Sequence, residues 1–148
     1  MYEILEENIP EEELKRADHL VYVSLKYTRT TDIMLNAMKR MIAAFELSMI
    51  RYLEFEKKNK KISTIPLSKK ERTHLVKDLL GTSVSKYLML YFLLKKIEKS
   101  EYTSIEEFRK NVTLKTKTTR PIEVKVNNLY EYLDKTKEFI NFINKKTT

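Results

Sequence analysis

Residues 32–60 read DIMLNAMKRMIAAFELSMIRYLEFEKKNK, a stretch without proline or glycine. Apolar side chains recur in it every three or four residues, which predicts one α-helix roughly 43 Å long at about 1.5 Å per residue. The apolar positions cover more of the circumference than a single stripe. We therefore expect this helix to lie at the centre of the fold and to be covered on more than one side.

Signals for helix starts and ends flank this stretch. Pro10 precedes three glutamates that suit the first turn of a helix. Ser68 and Glu71 have capping-box spacing, and Gly81 stands where a helix-terminating glycine belongs. Residues 87–94 are apolar or aromatic all round, which predicts the middle of the core. We expect further helices over about 10–27, 68–80, 82–99 and 127–145.

The segment after the fourth predicted helix has a different pattern. The sequences T-x-x-E at 103–106 and S-x-x-E at 104–107 are overlapping capping boxes, which predict a short helix as far as about residue 111. Apolar and polar residues then alternate on both sides of a polar turn. This alternation predicts a two-stranded β-hairpin at 112–126, and an irregular loop is the alternative.

Together these elements predict an all-α fold, a bundle of four to five helices around the long second one, with the small hairpin as an appendage. At 148 residues one domain is expected, residues 1–148. Within it, residues 1–9 form an acidic N-terminal segment and residues 112–126 a basic hairpin or loop. The single glycine agrees with this prediction, because sheet proteins use more glycine in turns and bulges.

The composition excludes several classes of site. Without cysteine the chain has no disulfide, no cysteine-ligated zinc and no cysteine nucleophile. One glycine is too few for a phosphate-binding loop of the Walker or dinucleotide type. The two histidines, His19 and His74, form no pair at metal-binding spacing, so we predict no metal and no cofactor, and we assign no catalytic residue.

The chain also lacks signals for a membrane. It contains no run of about 18 apolar residues, so no membrane-spanning segment is expected. Its N-terminus lacks the basic-then-apolar pattern of a signal peptide. These observations predict a cytoplasmic location.

The strongest binding signal is a run of basic residues in 109–126, where six cations accompany one acid, Glu123. Lysine, arginine and threonine side chains contact nucleic-acid phosphates, which favours RNA or DNA binding. A solvated loop with lysines on edge strands is the alternative. No interleaved aromatic and basic motif of a known RNA-binding fold is recognised. The candidate nucleic-acid-binding residues are Arg109, Lys110, Lys115, Lys117, Arg120 and Lys125.

The long helix has more apolar surface than one neighbour would cover, which predicts a homodimer through the first two helices. Methionine side chains adapt to varied partner surfaces, so methionines at helical spacing are candidate contacts. Packing in the core of one chain is the alternative. The candidate interface residues are Met34, Met38, Met41 and Phe45.

Residues 17–20 (Ala-Asp-His-Leu) and 43–47 (Ala-Ala-Phe-Glu-Leu) resemble the HEPN superfamily over about residues 13–60. In that family two long antiparallel helices form the centre of a small bundle, and many members dimerise, act on RNA or partner a nucleotidyltransferase. Catalytic members carry an arginine four to six residues before a histidine. Here Arg16 precedes His19 by three residues and Arg72 precedes His74 by two. The resemblance therefore implies a non-catalytic member.

Three functions of different classes remain open for a chain with a net charge of +8. The first is an interaction or regulatory module of HEPN-like type without enzymatic activity. The second is a basic module that binds RNA or DNA. The third is a ribonuclease with a rearranged site that depends on His19 or His74. The expected partners are a second copy of the chain, a nucleic acid or another protein.

Overall fold

The computed structural model describes residues 9–148. In chain order the elements are α1 (Pro10–His19), α2 (Thr31–Lys58), α3 (Lys69–Leu80), α4 (Ser85–Lys99), β1 (Tyr102–Ile105), β2 (Thr113–Thr116), β3 (Glu123–Lys125) and α5 (Val126–Lys146). The chain is mostly helical, with one small antiparallel sheet. Helix α2 is the central element, because α1, α3, α4 and α5 all pack against it.

The five segments predicted as long helices are helical. Helix α1 continues through a π-helical segment, Leu20–Ser24, and a last turn, Leu25–Tyr27. The 3-10 turn Gly81–Val84 joins α3 to α4. The expected helix start at Ser68 and end at Gly81 are confirmed: the Ser68 hydroxyl accepts a hydrogen bond from the Glu71 amide, and Gly81 has φ +68°. A residue with a side chain would be strained at that angle.

The predicted short helix at 103–111 is wrong, because residues 102–105 form β1. The two side chains of the second capping box, Ser104 and Glu107, bind the start of a different helix. The Glu107 carboxylate accepts a hydrogen bond from the Thr31 amide at the start of α2, at 3.1 Å. The Ser104 and Thr31 hydroxyls share a second hydrogen bond of 2.6 Å. Since these groups cap α2 across the fold, they do not start a helix of their own.

The hairpin predicted at 112–126 is confirmed as β2 and β3, and β1 extends it to a three-stranded sheet in the order β1-β2-β3. The expectation of an all-α chain is therefore corrected by this sheet. Leu114 lies opposite Ser104 on one side and Val124 on the other. Leu114 and Val124 are buried, and Ser104 reaches the first turn of α2. This row places the sheet across the N-terminal end of α2.

The predicted interface residues Met34, Met38, Met41 and Phe45 all lie in the core, with at most 1% of their surface exposed. The Phe45 ring stacks on Phe139 of α5 at 4.7 Å between centroids. A single chain thus covers these residues on all sides, and core packing is the alternative that the structure shows. These four residues are therefore not available for contacts with a second chain, and the homodimer itself stays a prediction.

The prediction for residues 87–94 holds for one side of α4 only. Tyr87, Leu90 and Tyr91 are buried against the rest of the core. Met89 and Phe92 keep 72% and 50% of their surface exposed. Helix α4 therefore presents an apolar side to the outside.

No helix within residues 9–148 is long and apolar enough to cross a membrane.

The first turn of α1 is held in place by polar contacts. The Arg51 guanidinium of α2 donates two hydrogen bonds to the Glu11 carboxylate, at 2.8 and 2.9 Å. The Asn144 side chain of α5 donates a third at 3.1 Å, so the carboxylate connects three helices.

The hydrogen bonds from Arg51 lower the pKa of Glu11 from 4.5 to about 2. A carboxyl whose pKa is lowered by folding stabilises the fold above its unfolded-state pKa, and this contribution is lost as the pH falls from about 4.5 towards 2. We expect Glu11→Gln to lower the melting temperature at neutral pH and to make its fall below pH 4.5 shallower. Circular dichroism melts across this interval measure both effects. Glu138→Gln, exposed on α5, is the matched control, and an identical pH profile for both variants would contradict the assignment.

Candidate nucleic-acid interface

The structure does not bring the six predicted basic residues into one cluster. Arg109 and Lys110 lie in the loop between β1 and β2, whereas Lys117 and Arg120 lie in the loop between β2 and β3. In an antiparallel sheet these two loops are at opposite ends of β2. The predicted set is therefore divided by the length of the central strand.

The other two predicted residues lie on the strands. Lys115 is opposite Glu123 on β3, so an acid stands beside it on the same face. Lys125 pairs with Thr113, the first residue of β2. It therefore lies at the end of the sheet that carries Arg109 and Lys110.

The loop from residue 106 to residue 112 is tied to the end of the first helical segment. The Phe108 amide donates a hydrogen bond of 2.6 Å to the Arg29 carbonyl. The Val112 amide donates to the Arg109 carbonyl at 3.1 Å, which closes the loop. Together with the bond from the Thr31 amide to Glu107, these contacts hold the loop against residues 29–31. Two cations that sequence reasoning missed, Lys26 and Arg29, thereby join this end of the sheet.

A crevice of about 250 Å³ continues the contact between the end of α1 and the start of α5. Lys26 and Arg29 line it from one side, and Val126, directly after Lys125, lines it from the other. The rings of Tyr22 and Tyr130 stack at its wall with centroids 4.9 Å apart. Lys125, which pairs with β2, therefore directly precedes the residue that faces Lys26 and Arg29 across this crevice.

Two large aromatic side chains project from the same region. Tyr27 is 81% exposed at the end of the first helical segment, and Phe108 is 74% exposed in the loop. Phe108 also has φ +67°, and Glu106 in the same loop has φ +53°. A left-handed backbone at a bulky residue other than glycine destabilises the fold by about 1–3 kcal/mol. The surrounding hydrogen bonds hold the Phe108 ring outside at this cost.

We call this region the Phe108 surface. It has five cations and two exposed aromatic rings. The acids of the loop are Glu106, which is exposed, and Glu107, whose carboxylate caps α2. The Phe108 surface consists of Lys26, Tyr27, Arg29, Phe108, Arg109, Lys110 and Lys125.

The opposite end of the sheet is organised by its own threonines. The Thr116 hydroxyl accepts from the Ile122 amide at 2.8 Å and contacts the Thr118 hydroxyl at 3.0 Å. The Thr118 hydroxyl donates to the Arg120 carbonyl at 2.9 Å. These hydroxyls close their own loop, and the described aromatic side chains with high exposure lie elsewhere. The aromatic residue at this end, Tyr102 opposite Thr116, is half-buried, whereas the rings of the Phe108 surface are exposed.

The histidines of the ribonuclease hypothesis are exposed and lie on different helices, His19 on α1 and His74 on α3. His19 lines a cleft of about 610 Å³ with Arg16 and Arg40. Both arginines are hydrogen-bonded to the buried Glu13 carboxylate, at 2.9 and 3.2 Å. Within residues 9–148 no group of three or more histidine, aspartate or glutamate side chains is arranged to hold a metal ion.

Sequence reasoning named three of the seven residues of the Phe108 surface, Arg109, Lys110 and Lys125, and assigned the other four to no binding site. The sequence pattern that could have indicated this surface is present in two short tracts, each with one aromatic residue and two cations. These tracts are Lys26-Tyr27-Thr28-Arg29 and Phe108-Arg109-Lys110. They are separated by almost eighty residues in sequence. The hydrogen bonds of Glu107 and Phe108 with residues 29–31 bring them together in the fold.

The chain matches no family model, no curated protein and no solved structure. The assignment of function therefore depends on the geometry and the chemistry of the surfaces described above.

The strain at Phe108 predicts an unusual effect of glycine. Phe108→Gly removes the left-handed penalty together with an exposed ring, so we expect the free energy of unfolding to stay unchanged or to rise by up to about 1 kcal/mol. Phe108→Ala keeps a Cβ at positive φ and should stay within about 0.5 kcal/mol of the parent chain. Urea unfolding followed by circular dichroism measures both values.

Leu67→Gly is the matched control, because Leu67 is 95% exposed in another connection and has no positive φ. Glycine there gains only unfolded-state entropy, so its free energy of unfolding should stay level or fall by up to about 1 kcal/mol. Equal losses at both positions would show that the Phe108 backbone is not strained.

Proposed function

We propose that this chain is a non-enzymatic interaction module, a helical bundle of HEPN-like type, that binds single-stranded nucleic acid at the Phe108 surface. The observation that carries the proposal is the exposed Phe108 ring, held at positive φ among cations. Backbone strain that persists in a fold is concentrated at functional sites. Here the strained residue presents an apolar ring to water, where the ring contributes little to folding.

The chemistry of the surface matches a single strand better than a duplex. Exposed aromatic rings stack on unpaired bases, and each such contact is worth about 1–3 kcal/mol. In a duplex the faces of the bases are covered by their neighbours. Tyr27 and Phe108 supply two such rings, and Tyr22 with Tyr130 forms a stacked pair beside them.

The charges of the surface fit the sugar-phosphate backbone. Lys26 and Arg29 stand on one side of Phe108 in the fold, and Arg109 with Lys110 follows it directly in the chain. Arginine and lysine make most of the backbone contacts in nucleic-acid complexes. Since RNA and DNA share this chemistry, the proposal names a single strand, and the experiment compares the two.

The test is fluorescence anisotropy with a labelled single-stranded RNA, the DNA of the same sequence and the corresponding duplex. Contacts to four or five phosphates predict a slope of about −3 when the logarithm of the binding constant is plotted against that of the salt concentration. We expect both single strands to bind more tightly than the duplex. Tighter binding of the duplex would contradict a stacking surface.

Two double variants remove the same charges from opposite ends of the sheet. Arg109→Ala with Lys110→Ala should weaken binding by about tenfold or more at low salt and reduce the salt slope by about 1. Lys117→Ala with Arg120→Ala removes one arginine and one lysine as well, and should bind almost like the parent chain. Equal losses in the two variants would show that affinity follows net charge rather than the Phe108 surface.

Phe108→Ala separates stacking from charge. Loss of the Phe108 ring should weaken single-strand binding by roughly fivefold to a hundredfold. The salt slope should stay unchanged, because no cation is removed. The integrity of the RNA is measured in the same samples. Cleavage that is abolished by His19→Ala or His74→Ala would replace binding by catalysis as the function.

A further inference from the structure

Helix α4 presents an apolar side that none of the described helices covers. Met89 and Phe92 are one turn apart on this side, 72% and 50% exposed. Helices that are apolar all round are normally buried on all sides. Exposed phenylalanine and methionine together are more typical of protein interfaces than of solvated surface.

This side of α4 forms one wall of a groove of about 550 Å³, and α5 forms the other. Leu93 and Tyr132 contribute to its lining together with Met89 and Phe92. The groove follows α4 from residue 86 to residue 96, which corresponds to about 15 Å, or nearly three helical turns. A helix of about ten residues has this length.

The rim of the groove is basic. Lys86 and Lys96 stand at the two ends of the α4 wall, and Lys135 stands on the α5 wall. Glu131 is the acid that lines it. The lining is therefore apolar at its floor and carries a net positive charge at its rim. A partner helix with a row of apolar side chains flanked by carboxylates is complementary to it.

The same charges disfavour a second copy as the occupant. Two α4 helices that pack antiparallel would place Lys86 of one chain beside Lys96 of the other. A parallel arrangement would place each lysine beside its own copy. Like charges at an interface oppose association in both cases.

We propose that the groove between α4 and α5 is a docking site for an acidic amphipathic helix of a partner protein. The apolar side of that helix contacts Met89, Phe92 and Tyr132, and its carboxylates lie near Lys86, Lys96 and Lys135. Helix-in-groove recognition of this kind uses anchors at the spacing of the helical repeat. The site is separate from the Phe108 surface and does not depend on nucleic-acid binding.

The probe is a fluorescent amphipathic helical peptide with leucine on one face and glutamate on the other. Its counterpart carries lysine in place of each glutamate. We expect the full chain to bind the acidic peptide at least about tenfold more tightly than the basic one. Phe92→Glu should weaken binding of the acidic peptide by about tenfold or more, because it places a carboxylate among the peptide's own.

Leu67→Glu is the matched control, since it introduces the same charge at an exposed apolar residue outside the groove, and it should bind like the parent chain. Lys86→Glu with Lys96→Glu should reverse the preference between the two peptides. Circular dichroism confirms that each variant is folded.

Four results would overturn the proposal. The two peptides could bind equally well, or Leu67→Glu could weaken binding as much as Phe92→Glu. Sedimentation velocity could instead show a dimer of the parent chain that Phe92→Glu dissociates, which would make a second copy the occupant. Preservation of the peptide preference in the doubly substituted chain would equally exclude the lysines as its cause.

Discussion

The hydrogen bonds at the first turn of α2 join the central helix to the sheet. An α-helix begins with amide groups that have no partner within the helix, and burial of these groups without partners is costly. Here the Thr30 hydroxyl accepts from the Ile33 amide, and the Glu107 carboxylate accepts from the Thr31 amide. Because Glu107 comes from a loop of the sheet, capping of the central helix also determines where the sheet lies.

The position of the Phe108 surface follows from this cap. With Glu107 held at the start of α2, the next amide, that of Phe108, reaches the Arg29 carbonyl. The backbone turns into the left-handed region to make this contact, and the ring is directed outwards. One local requirement, the hydrogen bonding of a helix terminus, thereby brings two aromatic and basic tracts from distant parts of the chain to one surface.

Local signals in the sequence predicted the long helices, because apolar periodicity and capping residues such as Ser68 and Gly81 affect only the few residues next to them. The same kind of signal failed at residues 103–107, where the capping groups bind a helix more than seventy residues away. The hairpin was predictable from alternation, but its third strand has only the pattern of a helix start. The six basic residues predicted as one set lie at both ends of the sheet, since charge along the chain does not reveal which loops share an end. Likewise the sequence did not predict that one side of α4 is exposed. Apolar residues all round a helix indicate burial, but they do not show whether neighbouring elements cover every side.

Amide chemical-shift mapping by NMR identifies the residues at which nucleic acid contacts the chain. Spectra of the full chain are recorded while a single-stranded RNA is added. If the Phe108 surface binds the strand, we expect the shifts to concentrate in residues 26–31, in the loop at 106–112 and at Lys125. Shifts concentrated at residues 117–120 or around His19, or spread evenly over the surface lysines, would contradict it.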